Sequence, residues 1–535
     1  MSTAAAPNEP TTTTTEQTGP WMCWVDDWSE RIGDRLNPIL VKETRQALKS
    51  RQFVITFGVL LVAALGWTVI GSLMLMPQIY TQPSAQRMLT GYYITLAIPM
   101  LLVVPLAAYR SLEGEIDDGT LELLSITSLG PWQIVLGKLA SASLQMVLYL
   151  VTLFPCVAYA YTLRGVDLPT TFLIVAMLIV GALLLTVVAL FFAPLARSRT
   201  GRIATLLMVM LILLFAQYFV GAGVIGLIWY GNPMETQWMV YSIIAVSFLA
   251  LSLGHLLLTA TAAQLTPESE NRSTPLRLSL LALTAIVVGL SFYAMQFEGD
   301  RRDPFGAIVF MMSNFSLAVL WTVCGSMMVA ESPVMTPRIR RELPSSFFAR
   351  MMLTWVTPGP ATGLVFVVAV VIGLLTWAIW GLEYLIGTQG AMMGPAGPIR
   401  GLYYPFAILW ASYLIAFLVC VRGIVALLRI NNNPRAEIGV AALIAVAVIF
   451  ALVPYSMQLH WNDYRQFDYS RWQITNWAWT MGEVSGSRFN SGDEYWVAAV
   501  AATMFAICLM TTRVVLPRKI ATPKRVEEER AKLAK

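Results

Sequence analysis

Twelve apolar stretches dominate the chain, at approximately 53–75, 91–109, 139–161, 169–194, 203–230, 238–262, 277–297, 305–330, 361–384, 403–428, 438–458 and 495–515. At about 1.5 Å per residue, each is long enough as a helix to cross a hydrocarbon core of about 30 Å. A water-soluble fold cannot absorb this many, because much of even a large domain faces solvent. Composition agrees, with 57% hydrophobic and 13% charged residues, against about 25% charged in soluble domains. The chain is therefore expected to be all-α: a polytopic helical membrane protein of about twelve spans. A net charge of +5 over 535 residues is too dilute to imply nucleic-acid binding.

An even number of spans places both termini on one side. Of the 36 Lys and Arg residues, 28 fall in the termini and the loops on their side, and eight in the opposite loops. Basic residues in short loops mark the cytoplasm, so both termini are expected there, in a plasma membrane. The expected organisation runs as follows. Residues 1–20 are a Thr-, Ala- and Pro-rich disordered leader without signal-peptide character, and 21–52 an amphipathic interfacial segment with a helix start at Asn37-Pro38. A first six-helix module, 53–262, and a linker, 263–276, precede a second, degenerate six-helix module, 277–516, and a charged tail, 517–535. A degenerate six-plus-six repeat is the economical reading. The one long outer loop, 459–494, is crowded with Trp and Tyr and reads as an aromatic belt at headgroup level, with a ligand-binding cap as the less favoured alternative.

The most informative loop lies between the second and third spans. Glu113, Glu115, Asp117, Asp118 and Glu122 crowd into and before a short apolar helix, Gly119 allows a turn, and Gly130-Pro131 ends one helix and starts the next. That helix would expose Leu121, Leu123, Leu124 and Ile126 to the cytoplasm, which calls for something to bury them.

Glu115, then Gly119-Thr120-Leu121-Glu122-Leu123-Leu124, Thr127, and Pro131-Trp132 with Ile134 and Gly137-Lys138 together resemble the signature of type-2 permeases of ATP-binding-cassette (ABC) exporters. The segment Asn37 to Gln46 is similar to the connecting helix that precedes the first span in that family. The resemblance covers about 37–262. It implies that the stretch near 119–130 is a coupling helix docking into a separate ABC ATPase subunit, with Glu115, Gly119, Thr120, Leu121, Glu122, Leu123, Leu124, Thr127 and Pro131 as its coupling residues. The implied partners are that ATPase and membrane lipid, and a second permease copy stays open. The equivalent loop of the second half, 331–360, is basic instead of acidic. Its Phe347, Phe348, Met351, Met352 and Trp355 suit a docking helix and an interfacial anchor equally.

Chemistry within the chain itself finds little support. Gly130 to Lys138 has six residues between its glycines and Leu139 where a P-loop needs a hydroxyl, so ATP hydrolysis is assigned to a partner. Two histidines, His255 and His460, and scattered cysteines offer no metal or cofactor set, and no enzyme is expected. His460-Trp-Asn-Asp463 reads as a chance pairing. An ion-coupled secondary transporter is the leading rival, with His255 as its mid-helix titratable group, although a neutral imidazole bonded to a neighbouring helix is the simpler reading. A non-transporting scaffold is the third.

Overall fold

The computed structural model describes residues 38–119, 130–195, 199–231, 236–267, 270–296, 305–331, 337–343, 346, 348–349, 354–389, 396–429, 436–465, 468–484, 492–512, 520 and 523–533. The fold is all-α, with no strand among the described residues. An interfacial helix, α1 (Pro38–Lys49), opens on the proline expected to start it. Among the described residues, twelve helices long and apolar enough to span a membrane follow. The first five are α2 (Arg51–Leu75), α3 (Ala85–Asp117), α4 (Pro131–Thr162), α5 (Leu168–Phe192) and α6 (Arg199–Tyr230). The next are α7 (Thr236–Leu265), α8 (Ser273–Met295), α9 (Phe305–Val329) and α10 (Pro360–Gln389). The last three are α11 (Ala396–Leu428), α12 (Ile438–Trp461) and α13 (Asp493–Thr512), and a tail helix, α14, covers Lys524–Leu533. The chain divides into two compact units, 1–233 and 234–535, so that α7 belongs with the second.

Large apolar side chains lie exposed along these helices, among them Val62, Met74, Leu211, Leu251 and Met510. In water that surface would drive aggregation; in hydrocarbon it is the face that lipid tails cover. Within the helix interiors the backbone pairs inside its own segment, so those stretches present no unpaired polar backbone to the lipid. The chain is a polytopic helical membrane protein.

Each unit has its own interior. In the first, Met88, Tyr92, Met100, Leu101, Leu112, Tyr149 and Leu178 are fully buried. A five-residue π-helical turn, Pro99–Val103, interrupts α3 between its two α-helical parts. Pro99 and Pro105 bracket that turn, and a proline's missing N–H is a standard cause of such a break. In the second unit Trp321, Leu364, Val367, Val371, Leu409, Leu418 and Val421 form the centre of a core that runs through α8 to α12. At Gly439 a Cβ would stand 2.1 Å from the carbonyl oxygen of Ser326, so only glycine lets α12 cross α9 this closely.

All twelve expected spans are present, but two run well past the expected limits. α3 continues through the charged residues 110–117, and α4 begins at Pro131 instead of near 139. The segment after α12 also departs from the expected surface belt, because residues 468–484 turn back along α12. Gln473 Nε2 donates to the Pro454 carbonyl at 3.0 Å, and the Trp477 indole N–H donates to that of Ala447 at 2.8 Å. Ala447 lies 14 residues from the helix end at Trp461, about 21 Å along the axis. Met481 and Trp477 pack on the core, and Val484 joins it. Ahead of that excursion, Arg471 lies 3.6 Å from Asp493 in the first turn of α13. The segment is re-entrant. Its non-helical backbone survives at that depth because protein buries and satisfies it: Gln473 and Thr480 are 0% exposed, and Tyr413 of α11 donates to the Ile474 carbonyl.

Candidate functional site

The basic end of the first unit holds a buried ion cluster, assembled from three helices. α1 is amphipathic and turns Glu43 inward while Lys42 and Arg45 stay exposed. The polar extension of α3 supplies Ser111 and Glu115, and the second turn of α4 supplies Lys138. Lys138 is 2% exposed and Glu43 7%. The ammonium of Lys138 lies 3.1 Å from Glu43 Oε1, 3.1 Å from Glu115 Oε2 and 2.8 Å from Ser111 Oγ. Ser111 donates onward to Glu43 Oε2 at 3.1 Å, and Lys42 stands 3.6 Å from Glu115 Oε1. One buried cation is thus compensated by two carboxylates, the condition under which a buried charge is tolerated.

The other flank of the same extension is tied to α6, where Arg202 pairs with Asp117 and Tyr109 donates to Thr205 Oγ1 at 3.4 Å. Residues 104–117 are therefore gripped from α1, α4 and α6 together. The helix ends as expected: Asp118 N–H bonds to the Gly114 carbonyl, Gly119 N–H bonds to that of Ile116, and Gly119 adopts φ +66°. That left-handed conformation is cheap only for glycine. On the far side Gly130 caps α4, with its N–H accepted by Gln133 Oε1 at 3.1 Å, and Pro131 is the first helical residue.

Of the expected coupling residues, Glu115, Gly119 and Pro131 are thus placed at the two rims of the loop, Glu115 within the ion cluster. Thr120, Leu121, Glu122, Leu123, Leu124 and Thr127 lie outside the described residues. Glu43, Ser111 and Lys138 carry the cluster without having been singled out for it; the available signal was a lone lysine near the start of an apolar helix that follows an acidic stretch. Above the cluster, a cavity of about 310 Å³ opens between α1, α2, α3 and α4, bounded at its far side by Phe53 and Tyr149, whose rings stack at 5.6 Å.

The second unit builds its own anchor at the corresponding loop. Arg277 of α8 is 0% exposed and donates to Glu331 Oε2 at 2.6 Å and to the carbonyls of Trp355 and Thr357 at 2.7 Å. Glu331 also accepts the Gly359 N–H at 3.1 Å, and Arg429 donates to the Ala330 and Glu331 carbonyls. Burial pushes the Glu331 carboxyl above its ordinary value, and the Arg277 charge opposes that shift. Trp355 sits in a 3-10 turn, Thr354–Val356, whose backbone is pinned to the core by Arg277; Phe348 is exposed, and Phe347, Met351 and Met352 lie outside the described residues. In both units the loop after a long span leaves from a glutamate, Glu115 or Glu331, held by a buried base.

His255 points at α8, its Nδ1 3.1 Å from Ser279 Oγ, and His460 Nδ1 is 3.3 Å from the hydroxyl of Tyr464. Among the described residues no group of three or more His, Cys, Asp or Glu could hold a metal ion.

Fold and site together define a class: a multi-span helical membrane protein with buried ion clusters at the ends of its helices. Comparison adds no nearer relation, since no protein-family model, no curated protein and no solved structure matches the chain.

Proposed function

We propose that this chain is the transmembrane permease subunit of an ATP-driven, ABC-type exporter, set in a plasma membrane with both termini in the cytoplasm. A separate ATPase subunit binds and hydrolyses the nucleotide; the permease works by alternating access and contributes no catalytic residue. The observation that carries this reading is the clamped extension of α3, whose end at Gly119 and the α4 start at Gly130-Pro131 form the two rims of the connection between these spans. A docking loop must be held at both rims to transmit force. Glu115 and Asp117 on one rim, and the Gly130-Pro131 start of α4 on the other, provide that hold. Closure of the ATPase on this loop would pull α1, α3, α4 and α6 as a set. Nucleotide binding then shifts the population between inward- and outward-open states. The Glu331 anchor suits a second such loop.

The test is mild-detergent affinity purification of the tagged chain followed by mass spectrometry, comparing wild type with the double variant Leu123→Asp, Leu124→Asp. An ABC ATPase recovered with wild type and lost from the variant is the expected result. If no ATPase accompanies either protein, the ATP-driven reading falls, and proton coupling through His255 becomes the next reading to test.

A further inference from the structure

The second unit carries a charge that no acid among the described residues pairs with. Arg422 lies on the α11 stripe formed by Leu418, Val421 and Val425, each at most 1% exposed. It therefore faces the helix bundle and not the lipid. It is six residues from the end of the helix at Leu428, about 9 Å along the axis. Its Nη1 is buried and has no hydrogen-bond partner. The side chain as a whole is half-buried, and Nη1 is the atom of its head that water does not reach.

Among the described residues, the acids on and beside the helices that pack around it do not reach it. α11 has no Asp or Glu along its whole length. α13, which packs closely on α11 and brings Cys508 beside the guanidinium, has its two acids, Asp493 and Glu494, in its first turn at the opposite end. Glu331 is taken by Arg277 and the Gly359 N–H, and Glu437, before α12, is exposed. A second cation, Arg429, stands two helical turns further along and donates to the Ala330 and Glu331 carbonyls. Two arginines on one helix face, one with an unused buried donor, form a site for an anion. A guanidinium grips phosphate oxygens in a two-pronged fork, and at this depth the group within reach is a phosphate at the membrane boundary.

We propose that Arg422, assisted by Arg429, binds a phosphate group between α11 and α13 at the basic end of the second unit. The site does not depend on the exporter reading. Its phosphate comes either from the headgroup of an anionic lipid or from a soluble phosphate compound.

The experiment is thermal unfolding of the full chain in nanodiscs, comparing wild type, Arg422→Gln and, as a control, Arg341→Gln, whose arginine is exposed. Discs are made of phosphatidylcholine alone or with one part in four of phosphatidylglycerol; a third series adds inorganic phosphate to the phosphatidylcholine discs. The wild type and Arg341→Gln are expected to gain about 5–10 °C at saturation by one of the two anions, and Arg422→Gln to gain little. In phosphatidylcholine alone Arg422→Gln is expected to melt no lower than wild type, because it removes an uncompensated charge. A response to phosphatidylglycerol alone identifies a lipid headgroup, and a response to inorganic phosphate identifies a soluble source. No response in the wild type, or equal responses in wild type and Arg422→Gln, overturns the proposal. Should Arg422→Gln fail to purify, Arg422→Lys keeps the charge but loses the fork. It is expected to weaken the response severalfold, and an unchanged response would again overturn the site.

Discussion

Replacing Lys138 with methionine isolates the worth of the ion cluster, because methionine keeps the apolar stem and much of the volume while deleting the ammonium. The change strands Glu43, 7% exposed, whose Oε1 is 3.1 Å from the lysine nitrogen. Removing one partner of a buried pair costs about 3–5 kcal/mol. Glu115 is less buried and keeps Lys42 at 3.6 Å, which places the expected loss near the lower end, at about 3 kcal/mol. For a unit of this size that corresponds to a fall in melting temperature of about 6–12 °C. The 17 tryptophans make intrinsic fluorescence in detergent a direct assay. Adding Glu43→Gln removes the stranded charge, so the double variant should recover at least about 1 kcal/mol relative to the sum of the single changes. A Lys138→Met protein melting within 2 °C of wild type, or strict additivity in the double variant, would refute the reasoning.

Three further outcomes are expected. Gly439→Ala places a methyl 2.1 Å from the Ser326 carbonyl oxygen, so α12 must move away from α9 at a cost of about 1–3 kcal/mol, visible as a lower melting temperature. Gln473→Leu removes the donor to the Pro454 carbonyl and to Gln458, and leaving buried polar groups unsatisfied costs about 1–3 kcal/mol; limited proteolysis should then cut within 468–484, where wild type resists. Asp167 caps α5 by accepting the Thr170 N–H, and hydrogen bonding at Thr170 holds its carboxyl below the usual value of 3.8. Its contribution is therefore complete above that value and lost as pH falls through the lower folded one. The melting temperatures of wild type and Asp167→Ala should differ at pH 6 and converge in acid; a gap that stays constant down to pH 2 would count against the cap.

Twelve spans were legible because hydrocarbon imposes a one-dimensional rule: a helix crossing it must be apolar for its whole length. That rule goes silent where a helix leaves the membrane. Residues 110–117 read as a polar loop, yet they stay helical because Lys42, Lys138 and Arg202 neutralise their acids, and those bases come from three other helices. Glu43 and Lys138 are 95 residues apart, a juxtaposition only the folded topology creates. The re-entrant segment was hidden for a related reason. Its Trp and Tyr residues have the composition of an interfacial belt, and what draws them inward is Gln473, Thr480 and Tyr413 satisfying one another and the backbone. Gly119 and Pro131 were readable as a helix end and a helix start because turn and cap chemistry is local.

The length of α3 has a mechanical side. Its 33 residues make a rod of about 50 Å, roughly 20 Å longer than the hydrocarbon is thick. The rod is jointed at Pro99–Val103, where the π turn loosens the regular ladder. Beyond the joint, Val104 to Asp117 is an unbroken arm of about 21 Å. A swing of about 10° at the joint sweeps its tip through nearly 4 Å, about two-thirds of the rise of one helical turn. The gearing also runs in reverse: a small displacement imposed at Gly119 becomes a much smaller and more forceful one at mid-membrane.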